Sequence, residues 1–553
     1  MKIENDFTKA FFLFGKCGII KLMSNKFYLT TPIYYANNIP HSGSAYTTIA
    51  ADVLARYHRL KGEKVFFLVG TDEHGGKIEE TAQEAGKTPR QLCDENAEIF
   101  KKTWRSLNIS YDNFIRTTDP KHKEAVKKIL QILWEKGLIY KGDYEGLYCL
   151  GCEQYKTRDE LVEGKCSLHQ KKPVLLKEES YFFKLSLFED RLRKAITTDL
   201  FEIKPVERKN EVLNFLDQGL QDISISRQKV KWGVPLPFDQ KFTAYVWVDA
   251  FFNYLTGLGW QGDPKNLPEF WPANLHLMAK DILRVHTTIW PALLLALDIP
   301  LPKKIFAHGF LTLNNQKMSK SLGNVIWPEE MIEKFGIDAS RYLILSVAPF
   351  GQDGDISWQK LIEKYNADLA NGLGNLVARV LAMAEKYESG IRNQESKIKN
   401  QKSGIKNQEI TRFSLLITDY KTRYEKAFAN LQLYEALKII LQFISHLDKY
   451  IDQEKPWILA KKRALKGAAT SEPSLSASPG ALAPGSGNSG SSAPGSGFDK
   501  LEEVLYNLIQ GLNEIASFIQ PFMPETAERI REGLEGKTME KKVLFPRISR
   551  LSS

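Results

Sequence analysis

The sequence predicts an α/β architecture: a parallel-sheet domain, broken by a cysteine-bearing insertion and followed by an α-helical region. Three observations carry that expectation. The segments 27–34 ("FYLTTPIY") and 65–70 ("VFFLVG") are apolar and β-rich, and between them apolar residues recur at helical spacing from Ser44 to Leu60. A strand–helix–strand unit of this kind needs a crossover, so its two strands lie parallel. From about residue 361 the pattern changes to long amphipathic runs, at 361–388, 410–450 and 499–534.

Taken in order, residues 1–25 read as an N-terminal extension. The stretch "FTKAFFLFGKCGIIKLM" is apolar but too short and too interrupted to span a bilayer, it lacks a small-residue cleavage site, and a second start-like sequence begins at Met23. No other long apolar run exists, which predicts a cytoplasmic protein without membrane contact. Residues 26–140 form the first half of the parallel-sheet domain, 141–242 the insertion, 243–305 the second half, 306–360 a linking region and 361–553 the helical region. In open parallel sheets ligands bind at the carboxyl ends of the strands, where "PHSGS" (40–44) and "GTDEHGG" (70–76) would both lie.

Two segments interrupt the helical region. In 389–409 the tetrapeptide I-[R/K]-N-Q starts at 391, 398 and 405, but each heptad carries a single apolar residue, so a polar insertion fits better than a coiled coil. Residues 464–498 contain the Ala/Pro/Gly/Ser-rich stretch 467–497, which lacks the apolar surface to order itself.

The chain has 553 residues, 43% hydrophobic and 26% charged, ordinary for a multidomain globular protein. Lys and Arg exceed Asp and Glu by 76 to 66, a net charge of +10 that suits a polyanionic partner without demanding one. Of five cysteines, three cluster. Cys149-Leu-Gly-Cys152 and Cys166-Ser-Leu-His169 make two knuckles of soft ligands, the spacing of a tetrahedral zinc site. Four protein ligands close the coordination sphere, so one structural zinc is expected rather than a catalytic one. Cys17 and Cys93 have no partner in the sequence.

Phosphate chemistry is signalled at two distant places. "HSGS" offers a histidine, a glycine that lets backbone come close, and a serine at a helix start, where the dipole favours an anion. "QKMSKSLGN" (316–324) carries Lys317 and Lys320 around Ser319 in a Gly- and Asn-flanked loop. Together these cations could neutralise charge on a triphosphate attacked at its α-phosphate.

With these segments in view the chain resembles the methionyl-tRNA synthetases, a family of class I aminoacyl-tRNA synthetases. "PIYYANNIPHSGSAY", "GTDEHGGKI", "YVWVDAFFNY", "KDILRVHTTIWPALL", "HGFLTLNNQKMSKSLGN" and "EKPW" occur in the family's order, over about Lys26 to Ile548. The resemblance implies a Rossmann-type catalytic domain, a zinc-binding connective insertion and an anticodon-binding helical domain. It implies activation of L-methionine by ATP, with magnesium, to methionyl-adenylate, then transfer to tRNA(Met) for initiation and elongation. His41, Ser44, Lys317 and Lys320 would act in catalysis, with Gly43 and Ser319 joining them around ATP. Asp72 would pair with the methionine ammonium, and Ile33, Tyr35, Trp247, Ala250, Tyr254, Ile282, His286 and Trp290 would line the side-chain pocket. Aromatic walls suit a long, polarizable thioether. One methyl changes affinity by only about 1–3 kcal/mol, so homocysteine should enter, to be cleared by cyclisation in the same site. Asn375, Arg379 and Trp457 would read the anticodon, Trp457 by stacking.

The chain departs from the family's pattern at three places. Ser44 replaces a histidine, Ser42 an aliphatic residue, and Ala279 a glycine in "MAKD". The chain ends soon after "VLFPRISRLSS", without the appended oligonucleotide-binding domain that dimerises some members, so a monomer is expected. Rival readings are another class I synthetase, against which the short insertion and the closed zinc ligand set argue, and a tRNA-binding relic that no longer activates an amino acid.

Overall fold

Adjacent residues of the same strand feed opposite sides of a seven-stranded parallel sheet. Strands β1 (Lys26–Thr30), β2 (Tyr34–Tyr35), β3 (Lys64–Asp72) and β4 (Asn113–Arg116) come from the first half of the domain. Three later strands complete it: β7 (Glu202–Lys204), β8 (Leu275–Ala279) and β9 (Lys304–His308), with β5 (Ile139–Cys149) and β6 (Val174–Phe183) belonging to the insertion. The hydrogen-bonded order is β7-β9-β8-β1-β3-β2, with β4 also pairing β3. Leu29, Val69 and Leu277 enter one core, while their neighbours Tyr28, Leu68 and Met278 enter the other. Burial on both faces is why these strands read as unbroken apolar runs instead of alternating ones. The computed structural model describes residues 26–149, 154–156, 161–166, 170–318, 325–387, 408–469, 499–536 and 543–549. The extension 1–25, the polar insertion up to residue 407, residues 470–498, and Cys152, His169, Ser319 and Lys320 lie outside them.

Helix α1 (Ser42–Leu60) crosses from β1 and β2 to β3, as the pattern predicts, starting two residues earlier than its apolar repeat. Helix α2 (Pro120–Glu135) covers the opposite face through Val126, Ile129 and Leu130. In the insertion β5 and β6 pair antiparallel from Ile139↔Phe183 to Tyr148↔Val174. Two boundaries differ from the sequence reading. Residues 202–204, placed there in the insertion, form the edge strand of the parallel sheet, paired with 304–306. Three residues are too few to show a period. The helix beginning at Pro456 runs to Ala469, six residues into the segment 464–498, because "ALKGAA" favours helix up to its glycine and alanines.

The helical region belongs to the first of the two cores. Leu433, Phe443, Val504 and Phe545 pack in the same cluster as Leu29 and Ala50. One fully buried cation crosses this seam. Arg341 donates from Nη2 to Asp52 Oδ2 of α1 (2.6 Å) and from Nε to Phe522 O (2.8 Å). Its Nη1 donates to Leu107 O (3.0 Å) and Nη2 also to Pro521 O (3.0 Å). Burial alone would raise the Asp52 pKa, but Arg341 and Arg56 outweigh it and hold the carboxyl ionised. The cation therefore ties the first crossover helix to the chain's final helices.

Candidate active site

The carboxyl ends of β1, β3, β8 and β9 surround a cavity of about 440 Å³. Its position follows from topology, since the strand ends and the turns leaving them converge there. Ile33, Tyr35, Asp72, Trp247, Ala250, Tyr254, Ile282 and His286 line it, together with His41, Gly43 and Ser44. Trp290 is not among the lining residues. It is fully buried one layer behind, 5.7 Å from Phe251 and 5.7 Å from Tyr254 between ring centroids, with Nε1 directed at His276 Nε2 (3.4 Å).

The side-chain wall is built from two short helices, α3 (Val246–Phe251) and α4 (Asn253–Thr256), facing α5 (Leu283–Thr287). Its hydrogen bonds have a defined direction. His286 Nδ1 donates to Ile282 O (2.8 Å), since a carbonyl only accepts, and burial pushes the imidazole pKa down to about 4. The ring is therefore neutral at pH 7, and Nε2 accepts the phenolic proton of Tyr254 (2.9 Å). Tyr254 turns only oxygen lone pairs elsewhere. Burial raises its own pKa, so it does not ionise.

The opposite wall is the turn that starts α1. His41 is the N-cap, and its Nδ1 accepts from the Gly43 N–H (3.0 Å), which leaves the proton of the neutral ring on Nε2, a donor suited to a phosphate oxygen. A Cβ at position 43 would lie 2.7 Å from His41 Cε1, so the ring's fold over the turn requires glycine. Ser44 Oγ accepts from the His41 N–H (2.9 Å) and donates to His41 O (2.8 Å), closing a capping box. The serine that departs from the family pattern thus holds the turn together from inside. Ser42, the second departure, is fully buried and donates from Oγ to Met318 Sδ (3.1 Å), while its N–H bonds Ile326 O (3.2 Å). These two contacts fasten both ends of the lysine-bearing loop to the turn. Lys317 lies in a two-residue strand antiparallel to Leu311–Leu313. Ala279, the third departure, lines the cavity at the end of β8.

The sequence reading passed over His308 and Thr47, which line the same cavity and meet each other, Thr47 Oγ1 to His308 Nε2 at 2.7 Å. His308 Nδ1 bonds Gly309 O (2.7 Å), and burial brings its pKa to about 4. Its place at the carboxyl end of an apolar strand was the signal available.

Elsewhere, Cys149 ends β5 paired with Gln154, and Cys166 N bonds Lys171 O while Cys166 O accepts from Gln170 N. Both cysteines are buried. Among the described residues alone, no group of three or more ligands comes together. In the helical region Asn375 and Trp457 are exposed, Trp457 by 46%, and Arg379 pairs with Asp448 (2.9 Å) and Asp452 (2.7 Å).

The family description "tRNA synthetases class I (M)" matches residues 27–170 and 152–381. A methionine–tRNA ligase of Clostridium tetani is 45% identical over 510 residues, covering 92% of this chain and 73% of its own. One of Streptomyces coelicolor is 39% identical over 526 residues, covering 94% and 91%. Among solved structures, the Mycobacterium tuberculosis methionyl-tRNA synthetase in complex with methionyl-adenylate matches with a TM-score of 0.81 at 34% identity, over 95% of this chain and 100% of that one. Its apo form gives 0.73 at 32% identity. With the sheet order, the cavity and the HSGS turn in place, these likenesses make the chain a member of the methionyl-tRNA synthetases, class I aminoacyl-tRNA synthetases.

Proposed function

We propose that the cavity binds L-methionine and ATP side by side, and that the methionyl group of the adenylate formed there passes to the terminal ribose of tRNA(Met) presented by the helical region, with AMP as the leaving group. The chain is a methionine–tRNA ligase. The observation that carries this reading is the convergence on one cavity of eight of the nine side chains expected around methionine with the HSGS turn. The adenylate complex of the mycobacterial relative supports the same chemistry.

In this reading Asp72 takes the ammonium and the aromatic wall takes the thioether. A thioether offers only a weak acceptor, so a wall whose Tyr254 proton is already given to His286 loses nothing when it binds. The carboxylate of methionine attacks the α-phosphate and pyrophosphate leaves. His41 Nε2–H, the start of α1, and Lys317 and Lys320 stabilise the charge that grows on the phosphate oxygens. Magnesium accompanies ATP. Cys149, Cys152, Cys166 and His169 would hold one zinc, which supplies a structural cross-link; the burial of the two described cysteines fits that ligand set. Asn375, Arg379 and Trp457 would meet the anticodon, and an exposed indole is what base stacking needs. We also keep the sequence reading of a cytoplasmic monomer, which sedimentation of the purified protein checks for mass. Among the described residues no helix is long and apolar enough to cross a membrane.

The test is methionine-dependent ATP–pyrophosphate exchange, with cysteine, leucine and isoleucine as controls. Exchange with methionine alone, lost in Lys320→Ala, is expected. Exchange that survives in that variant would remove Lys320 from the mechanism.

A further inference from the structure

Asp249 is buried between two histidines that come from far along the chain. His74 donates from Nδ1 to Asp249 Oδ2 (2.6 Å), and His122 donates from Nε2 to Oδ1 (2.9 Å). The other ring nitrogen of His122 is 2.7 Å from Thr256 Oγ1. All three members of the cluster are almost wholly buried. Burial alone would raise the Asp249 pKa, but the two histidines hold it well below the usual carboxylate range.

His74 and Asp249 are each one or two residues from the cavity lining, and His122 reaches the side-chain wall through Thr256. His74 follows Asp72 by two positions. Asp249 lies on α3 between Trp247 and Ala250, and Thr256 follows Tyr254 by two on α4. The segment joining His74 to Asp72 is itself stiff. Glu73 accepts from the hydroxyls of Thr71 (2.7 Å) and Thr118 (2.5 Å) and from Arg116 Nε (2.7 Å), while Ala36 N bonds Asp72 O (2.9 Å). A displacement at His74 is therefore passed to Asp72 instead of being absorbed. A buried ionic cluster is seldom the cheapest way to fill a core, since apolar residues of equal volume are often as stable or more so. Its effect here is directional: it joins the strand end that carries Asp72 to both helices that carry the side-chain wall.

We infer that Asp249, through His74 and His122, is a positioning residue that sets the spacing between the ammonium end and the thioether end of the methionine pocket. The inference rests on the pocket reading above. It makes the cluster a ruler for the amino acid alone, because the turn that faces ATP is held by separate contacts of Ser42 and Ser44.

The experiment measures KM for methionine and for ATP by pyrophosphate exchange in the full-length protein. His74→Leu removes the donor to Asp249, whereas His74→Asn restores one at the place of Nδ1. The leucine variant is expected to raise the methionine KM by about tenfold or more with the ATP KM changed less than about twofold, and the asparagine variant to return most of it. Equal changes in both KM values, no change in either, or an asparagine variant as poor as the leucine one overturns the inference. If His74→Leu does not fold, His122→Leu against His122→Gln, which keeps a donor at the place of Nε2, is read in the same way. Asp72→Ala runs alongside: an unchanged methionine KM there sinks the pocket reading itself, whatever the histidine variants do.

Discussion

On the proposed function, the cavity and the helical region would recognise their ligands in opposite ways. Around the cavity Trp247, Tyr254 and His286 are packed against one another, and the hydrogen bond between Tyr254 and His286 has one possible direction. In the helical region Trp457 and Asn375 stand in solvent, and Arg379 is held by two aspartates. A small apolar side chain offers few atoms to read, so selection must come from a wall that is rigid before the ligand arrives. A nucleic acid loop brings its own large flat bases, and an exposed ring is enough to stack on them. The difference teaches where preorganisation is needed: where the ligand supplies little information of its own.

The contrast is open to attack by substitution. Asp72→Ala should lower methionine-dependent exchange by at least about a hundredfold, the scale of losing one partner of a buried ion pair. Trp457→Ala should leave exchange within about twofold of the parent and lower tRNA charging by roughly five- to 150-fold, the range of one base–aromatic stack. A fall in exchange in the second variant would break the comparison, because it would make the two regions one site.

Acid should act through two buried histidines of the cavity. The pKa values of His286 and His308 fall from an ordinary 6.5 to about 4 on folding, by burial. Between those pH values the unfolded chain binds more protons than the folded one, so stability is full above about pH 6.5 and is lost as the pH falls toward 4. Each imidazole contributes on the order of 3 kcal/mol to that loss. Urea unfolding at pH 7 and pH 4.5 measures it, and an unchanged midpoint would mean that these rings are not buried neutral. The smallest effect is expected at Ser42. Removing its hydroxyl from Met318 in Ser42→Ala should raise the ATP KM by about two- to fivefold and leave the methionine KM alone, as befits one weak hydrogen bond.

The parallel sheet was legible because strands buried on both faces leave unbroken apolar runs, and α1 because its period is long and regular. The cavity was legible where a motif starts a helix or closes a strand, as HSGS at the start of α1 and TDEHG at the end of β3 do. What escaped has a common cause. Strand Glu202–Lys204 is too short to carry a period, and Trp290 looks in sequence like any other aromatic near the pocket until the rings of Phe251 and Tyr254 are seen in front of it. The cluster of His74, His122 and Asp249 and the pair of Asp52 with Arg341 are joined across 127 to 289 residues, a distance over which spacing says nothing.

Arg341 has a consequence for how the molecule comes apart. A guanidinium that satisfies a carboxylate of the first crossover helix and carbonyls on either side of the seam cannot let go of one without stranding itself from the others. The catalytic and helical parts are thus not cassettes on a string but two leaves that share one core, with this cation as a clasp across it. Heating should open them in a single calorimetric transition, and a chain cut before residue 499 should fail as a whole rather than survive as a smaller enzyme.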